Sequence, residues 1–322
     1  MAIKKMDKNL LILGSSGFFG KSILEFLYQK RKFYQNKFKT ITILSRQDRG
    51  NKVILNKLKK FFKIDYLKQD IFKTKKLPDA QFIIYCLLLD SVKKDYLAVH
   101  HFSRILQKSK NKSSIVFTSS GAVYGDRLNE EKNMKENLAL NKKFNFLSVE
   151  KNKYAYYKLK SEEFLQRLSK KGFKVTILRC FAFVGKDLPT NKGFAVRDFI
   201  NKVIKLKTIV VGSEHKVVRS YMHQDDLANW VLTILLNNKK PYSIYNIGSD
   251  EPITIHNLGL LLSKKFNLKF KSNYYPSNYT DNYIPNVNKA KNNFKLKLNF
   301  TNLEAIHKTI RDIKKTLIIK KL

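Results

Sequence analysis

The chain has 322 residues, 43% of them hydrophobic, which supplies a sizeable core and excludes an intrinsically disordered protein. Its formal charge of +39 comes from 54 lysines and only 10 arginines against 25 acids, spread over nearly every segment. That pattern reads as a solvated lysine-rich surface and excludes a specific nucleic-acid interface, because base and phosphate readers favour the forked guanidinium of arginine. Two cysteines inside apolar runs, Cys86 and Cys180, exclude a disulfide framework and fit a reducing, cytoplasmic setting. No apolar run has the length of a signal peptide or a membrane span.

In chain order, apolar runs of strand length fall at 9–13, 40–44, 61–64, 82–87, 115–117 and 175–178. Between them, 19–28, 94–107 and 154–168 carry apolar residues at three- and four-residue spacing, as helices do. A further helix is expected at 226–236 and a strand at 244–247. This alternation predicts an α/β fold, a doubly wound parallel sheet with helices on both faces.

The first strand runs into GSSGFFG, with Gly14, Gly17 and Gly20 at a strand-to-helix turn. There the first glycine permits the tight turn, the second lets backbone amides approach a pyrophosphate, and the third lets helix and strand pack closely. Phe18 and Phe19 belong to the same loop. The second strand should end in an acid for the ribose 2′-hydroxyl of NAD, but Ser45 and Arg46 stand there. A serine leaves room for a 2′-phosphate and an arginine pairs with it, so NADP(H) is expected over NAD(H), with Asp48 as the alternative hydroxyl partner. Asp70 and Ile71, after the third strand, are candidates for the adenine contact.

The stretch KYAYYKLKSEE holds two tyrosine–lysine pairs at four-residue spacing. With Tyr154 set to zero, Lys158 falls at about 40°, Leu165 at about 20°, Leu168 at about 320° and Phe164 at about 280°, on an apolar face. Tyr156, Lys160, Glu163, Arg167 and Lys170 fall between about 160° and 240°, on a charged one. Tyr154 and Lys158 are therefore the inward pair. A phenol beside a buried ammonium can exchange a proton, because the cation stabilises the phenolate. Ser119 and Ser120, in IVFTSSGAVYGD, close the fifth strand, where open α/β sheets place ligand contacts.

Together these residues resemble the extended short-chain dehydrogenase/reductases, the nucleotide-sugar epimerase/dehydratase group. GSSGFFG is similar to the group's cofactor loop, TSSGAVYG to its serine-bearing strand end and YAYYKLKSEE to its Y-x-x-x-K-x-x-x-E helix. LRCFAFVG, VVRSYMHQDDLA and YNIGSDEPITI follow in family order. The resemblance implies a Rossmann lobe at 1–180 that recovers segments near 223–248, and a smaller, interleaved C-terminal lobe, mainly 181–322, that binds substrate. It implies a catalytic Ser120, Tyr154 and Lys158, the last two also touching cofactor; a phosphate-binding Arg219; a substrate contact from Ser119; and a homodimer. Asp225 and Asp226 are expected to cap the helix that follows, and His223 to be structural. The pair His100 and His101 lacks the companions of a metal site.

Gly121 and Ala122 fill the positions where the dehydratases of this group carry an acid pair, which argues against elimination of water. Ala182 replaces an asparagine often found near the substrate phosphates, and 286–290 lacks the usual acid. Two hydride-transfer readings remain for a nucleotide-sugar substrate. Ser45 and Arg46 tip the choice toward a 4-ketoreductase of a 4-keto-6-deoxy nucleotide sugar; the alternative is a 4-epimerase with retained NAD. A non-catalytic dinucleotide-binding sensor or scaffold is the third class, disfavoured because serine, tyrosine and lysine are all present.

Overall fold

The computed structural model describes residues 8–46, 51–125, 133–138, 148–190, 193–275 and 280–319. The chain divides into two units, the first comprising Met1–Val123, Leu147–Arg179 and Ala228–Tyr245, the second Tyr124–Phe146, Cys180–Leu227 and Asn246–Leu322.

Unit 1 contains β1 (Asn9–Leu13), α1 (Phe18–Gln29), α2 (Arg31–Tyr34), β2 (Thr40–Ser45), α3 (Lys52–Leu58), β3 (Lys63–Lys68), β4 (Phe82–Tyr85), α4 (Val92–Gln107), β5 (Ser114–Ser120), α5 (Val149–Ser169) and β6 (Lys174–Cys180). The chain returns to it with most of α7 (Gln224–Asn237) and β11 (Tyr242–Ile247). The seven strands form one sheet in the order β11-β6-β5-β4-β1-β2-β3. β1 pairs in parallel with β2 and β4, and β4 with β5. Strand order thus reverses between β1 and β4, and at such a switch point the loops beyond the strand ends diverge and leave a crevice.

Central strands are buried on both faces, as helices cover both sides: β1 shows only Asn9 partly exposed. One face packs Leu11, Ile83, Ile115 and Val175 against Ala98 and Phe102 of α4 and Leu165 and Leu168 of α5. The edge strand β3 begins later than the expected 61–64. Phe61 and Phe62 instead donate their backbone N–H groups to Leu58 O and close α3, and the strand proper reads KIDYLK, with exposed lysines at both ends. Such charges discourage further pairing at a sheet edge. Helix α5 starts five residues before the expected 154. The Ser148 hydroxyl caps it by accepting the Lys151 N–H, and Glu150 sits in its positive first turn.

Unit 2 contains β7 (Phe183–Val184), α6 (Ala195–Ile204), β8 (Ile209–Val211), β9 (Lys216–Arg219), β10 (Met222–His223), β12 (Ile253–Thr254), α8 (Ile255–Lys265), β13 (Phe270–Ser272), β14 (Thr280–Asn282), α9 (Asn288–Phe294) and α10 (Asn302–Ile319). Its strands form small sheets, β12-β9-β14, β10-β7 and β13-β8. Helix α8 lies so close to β8 and β13 that a Cβ on Gly259 would meet the Phe270 ring at 2.9 Å. Asn246 ties the loops together: its side chain accepts from Tyr124 Oη at 2.8 Å and donates to Met134 O and Asn286 O. Among the described residues no helix is long and apolar enough to cross a membrane.

Candidate active site

At the end of β1 the backbone turns at Gly14, with φ +95°, a conformation that side chains rarely adopt. Space forbids a side chain as well. A Cβ there would lie 2.4 Å from Cys86 O, just beyond β4, and one on Gly20 would lie 2.4 Å from Gly14 O. Gly17 differs: its Cβ would meet nothing closer than Gly14 O at 3.6 Å. Protein packing therefore accounts for Gly14 and Gly20 but not for Gly17. The open space beside Gly17 lies at the N-terminus of α1, which has no side-chain cap and no acid in its first turn. A cradle of that kind fits a pyrophosphate on the helix dipole. Phe18 is buried and packs edge-on against Phe19, their rings 5.8 Å apart. Ser15, beneath the loop, accepts a hydrogen bond from Asn51 Nδ2 at 3.2 Å, and both residues are fully buried.

Ser45 closes β2 half-buried, and Arg46 follows it exposed. The Lys94 hydrogen bond holds the Asp90 carboxyl below its usual range, with the Arg46 cation adding the smallest pull. Asp48 lies outside the described residues. Asp70 accepts the Phe72 N–H at 2.8 Å and starts a 3₁₀ turn, in which Ile71 is buried.

Helix α5 has the rotation that its sequence predicts. Lys158 is 9% exposed and Tyr156 45%. Lys160 pairs with Glu163 at 2.8 Å on the outer face. Lys158 Nζ donates to Thr118 O at 3.3 Å and lies over the rings of Phe117 and Tyr154, at 5.3 and 5.8 Å from their centres. No carboxylate among the described residues pairs with it, so a buried ammonium keeps N–H groups for another acceptor. The Tyr154 hydroxyl likewise has no hydrogen-bond partner among the described residues. Asp95 borders the same small void as Tyr154 and Lys158 and accepts the Leu89 N–H at 2.6 Å. Cys86 is no nucleophile: burial pushes its thiol up to about 12, and it donates to Leu13 O.

The two serines at the end of β5 face different partners. Ser120 Oγ accepts the Ala122 N–H at 3.2 Å, which leaves its proton to donate elsewhere. Ser119 Oγ instead gives its proton to Glu162 Oε1 at 2.5 Å, and Glu162 pairs with Arg179 at 2.8 Å. Glu162 and Arg179 are each 2% exposed. The Ser119 hydroxyl is thus committed to a buried ion pair, not to open space.

Arg219, at the end of β9, is held by Asp281: Nη1 donates to Oδ1 at 3.1 Å and Nη2 to Oδ2 at 2.7 Å. The expected capping by Asp225 and Asp226 is corrected. α7 begins earlier, at Gln224; Asp226 accepts from Asn299 N and Nδ2, and Asp225 lies 3.5 Å from Lys308. His223 is fully buried, and its Nδ1 accepts the Asp225 N–H at 3.1 Å. Burial lowers it to about 4, against Asp225, so the ring is neutral near pH 7. His100 packs on Phe164 and His101 bonds Thr74 O. Among the described residues no group of three or more His, Cys, Asp or Glu is placed to hold a metal.

Residues 10–248 match the model of the NAD dependent epimerase/dehydratase family. The chain belongs to that family. As a family member it is an enzyme. Among solved structures, dTDP-glucose 4,6-dehydratase from Bacillus anthracis, in complex with NAD, superposes with a TM-score of 0.76 at 16% identity, over 96% of this chain and 97% of that one. UDP-glucuronic acid 4-epimerase from Bacillus cereus, with UDP-glucuronic acid and NAD, gives 0.75 at 15%, over 96% and 99%. UDP-N-acetylglucosamine 4-epimerase from Methanobrevibacter ruminantium gives 0.74 at 18%, over 98% and 99%. At these identities the likeness is one of fold. No curated protein matches the chain in sequence.

Several residues of this family member carry no role in the sequence reading. Glu162 falls at about 80° on the α5 wheel, close to the buried face, so an acid there was a readable signal for a buried partner. Arg179, Asn51 and Asp281 gave none, because their partners come from 17, 36 and 62 positions away.

Proposed function

We propose that the chain transfers hydride at C4 of a nucleotide-activated sugar without eliminating water. One observation carries this reading. Among the described residues Ser120 and Tyr154, at the end of β5 and on the inner face of α5, both keep an unpartnered hydroxyl proton, and the residues after Ser120 are Gly121 and Ala122, with no acid to drive elimination. Bound nicotinamide would supply hydride acceptance and return. Tyr154 passes its proton to the C4 oxygen as ketone becomes carbinol, and takes it back in the reverse direction. Ser120 donates a hydrogen bond to that oxygen, and the Lys158 cation stabilises the charge left on the phenol. Lys158 N–H groups would also hold the cofactor's ribose hydroxyls, and Gly14, Gly17 and Gly20 its pyrophosphate. Ser119 is structural in this reading. The Asp281 carboxylate competes with any phosphate for Arg219.

Net reduction of a 4-keto-6-deoxy sugar by NADPH is our first choice, on the strength of Ser45 and the exposed Arg46. The two 4-epimerases among the structural neighbours, one of them holding NAD, support 4-epimerisation as the second reading. Incubation with nucleotide sugars and their 4-keto derivatives separates them. Stoichiometric loss of NADPH absorbance with the ketosugar marks the reductase, and an epimer formed without net cofactor change marks the epimerase. Formation of a 4-keto-6-deoxy product from dTDP-glucose would overturn the proposal. In fluorescence titrations NADPH should bind tighter than NADH, and Arg46→Ala should remove about 1.5–3 kcal/mol of NADPH affinity. Equal or better NADH affinity removes the reductase argument.

A further inference from the structure

Helix α6 of unit 2 buries a guanidinium whose hydrogen-bonding capacity is not filled among the described residues. Arg197 is 8% exposed, between the buried Val196 and Phe199. Its Nε and Nη1 are buried without a hydrogen-bond partner. The neighbouring acid on the same helix, Asp198, is taken by Lys202 at 2.7 Å. Asp187 lies within electrostatic range, where it partly opposes the downward push of burial on the guanidinium, but no ion pair or hydrogen bond joins the two. A guanidinium cannot shed its proton at neutral pH, so Nε and Nη1 remain charged donors that Asp187 offsets from nearby without bonding. Arg219 of the same unit is the contrasting case, because Asp281 fills its fork.

A buried cation with two free donors in fixed geometry costs stability unless an anion completes it. Its free N–H groups suit the paired oxygens of a phosphate or carboxylate. We propose that Arg197 is an anion-binding residue of unit 2 that takes a phosphate or carboxylate group of the substrate. This rests on the nucleotide-sugar reading for the identity of the anion, and not for its existence.

The test is a calorimetric titration at fixed ionic strength with inorganic pyrophosphate, UDP-glucose and UDP-glucuronic acid. Wild type, Arg197→Gln, Arg197→Lys and the exposed control Lys205→Gln are compared, each with its melting temperature. A loss of at least tenfold in affinity for all three ligands in Arg197→Gln, but not in Lys205→Gln, assigns the diphosphate. A loss confined to UDP-glucuronic acid assigns a sugar carboxylate. Arg197→Lys should keep part of the affinity, since the charge stays and the fork is lost. Without ligand, Arg197→Gln should melt no lower than wild type; a purely structural arginine predicts a fall, which would count against the proposal. Pyrophosphate binding that needs Arg197 without any nucleotide-sugar binding keeps the site and removes the nucleotide-sugar reading. Affinities unchanged within twofold in Arg197→Gln, or a wild type that binds none of the three, overturns the site.

Discussion

Replacing Glu162 by Gln keeps the side chain's shape and deletes its charge. The carboxylate meets Arg179 through Nη2 at 2.8 Å and Nε at 3.2 and 3.3 Å, and takes the Ser119 proton. Both partners are 2% exposed, so water cannot substitute for the lost charge. Breaking such a pair from one side costs about 3–5 kcal/mol, against about 0–1 kcal/mol for a surface pair. The amide oxygen still accepts one hydrogen bond, which places the loss at about 3 kcal/mol. For a unit of this size that lowers Tm by about 6–12 °C. Urea unfolding followed by fluorescence of Trp230, the single tryptophan and fully buried in unit 1, reads the loss directly. The double variant Glu162→Met with Arg179→Met removes both charges at similar volume and should recover at least half of it. A loss below about 1 kcal/mol for Glu162→Gln, or a double variant worse than the single one, refutes the reasoning.

Tyr154→Phe should reduce turnover by at least ~10²-fold while sparing cofactor affinity, and Tyr156→Phe, on the exposed face, should do almost nothing; the reverse pattern in steady-state rates would defeat the catalytic assignment. His223 makes stability depend on pH. Its folded value, about 4, lies below the ordinary 6.5, so the unfolded chain binds the extra proton and the contribution, full above pH 6.5, is lost as pH falls toward 4. Between pH 7.5 and 5 wild type should lose about 2 kcal/mol more than His223→Gln in urea unfolding; parallel slopes would show that another group carries the change.

Elements of unit 1 were legible because their signals are local. A parallel strand buried on both faces is an apolar run wherever it lies, and the wheel of α5 separates Tyr154 from Tyr156 with no knowledge of what α5 packs against. The glycine spacing likewise located the loop after β1. It also gave the three glycines separate roles, but the contact that bars a Cβ at Gly14 comes from Cys86 and exists only because β4 pairs beside β1. Nor did the adjacent Ser119 and Ser120 differ in sequence: Glu162 and Arg179, brought from α5 and β6, take one hydroxyl and leave the other. In unit 2 the same physics decided more. Arg219 and Arg197 are alike as letters, and only the pairing of β14 with β9 bonds one of them to an aspartate, while the other, buried on α6, has Asp187 near it but no hydrogen bond at Nε or Nη1. Burial and charge compensation are properties of what surrounds a side chain. Where those surroundings come from distant segments, the chain's own pattern cannot state them.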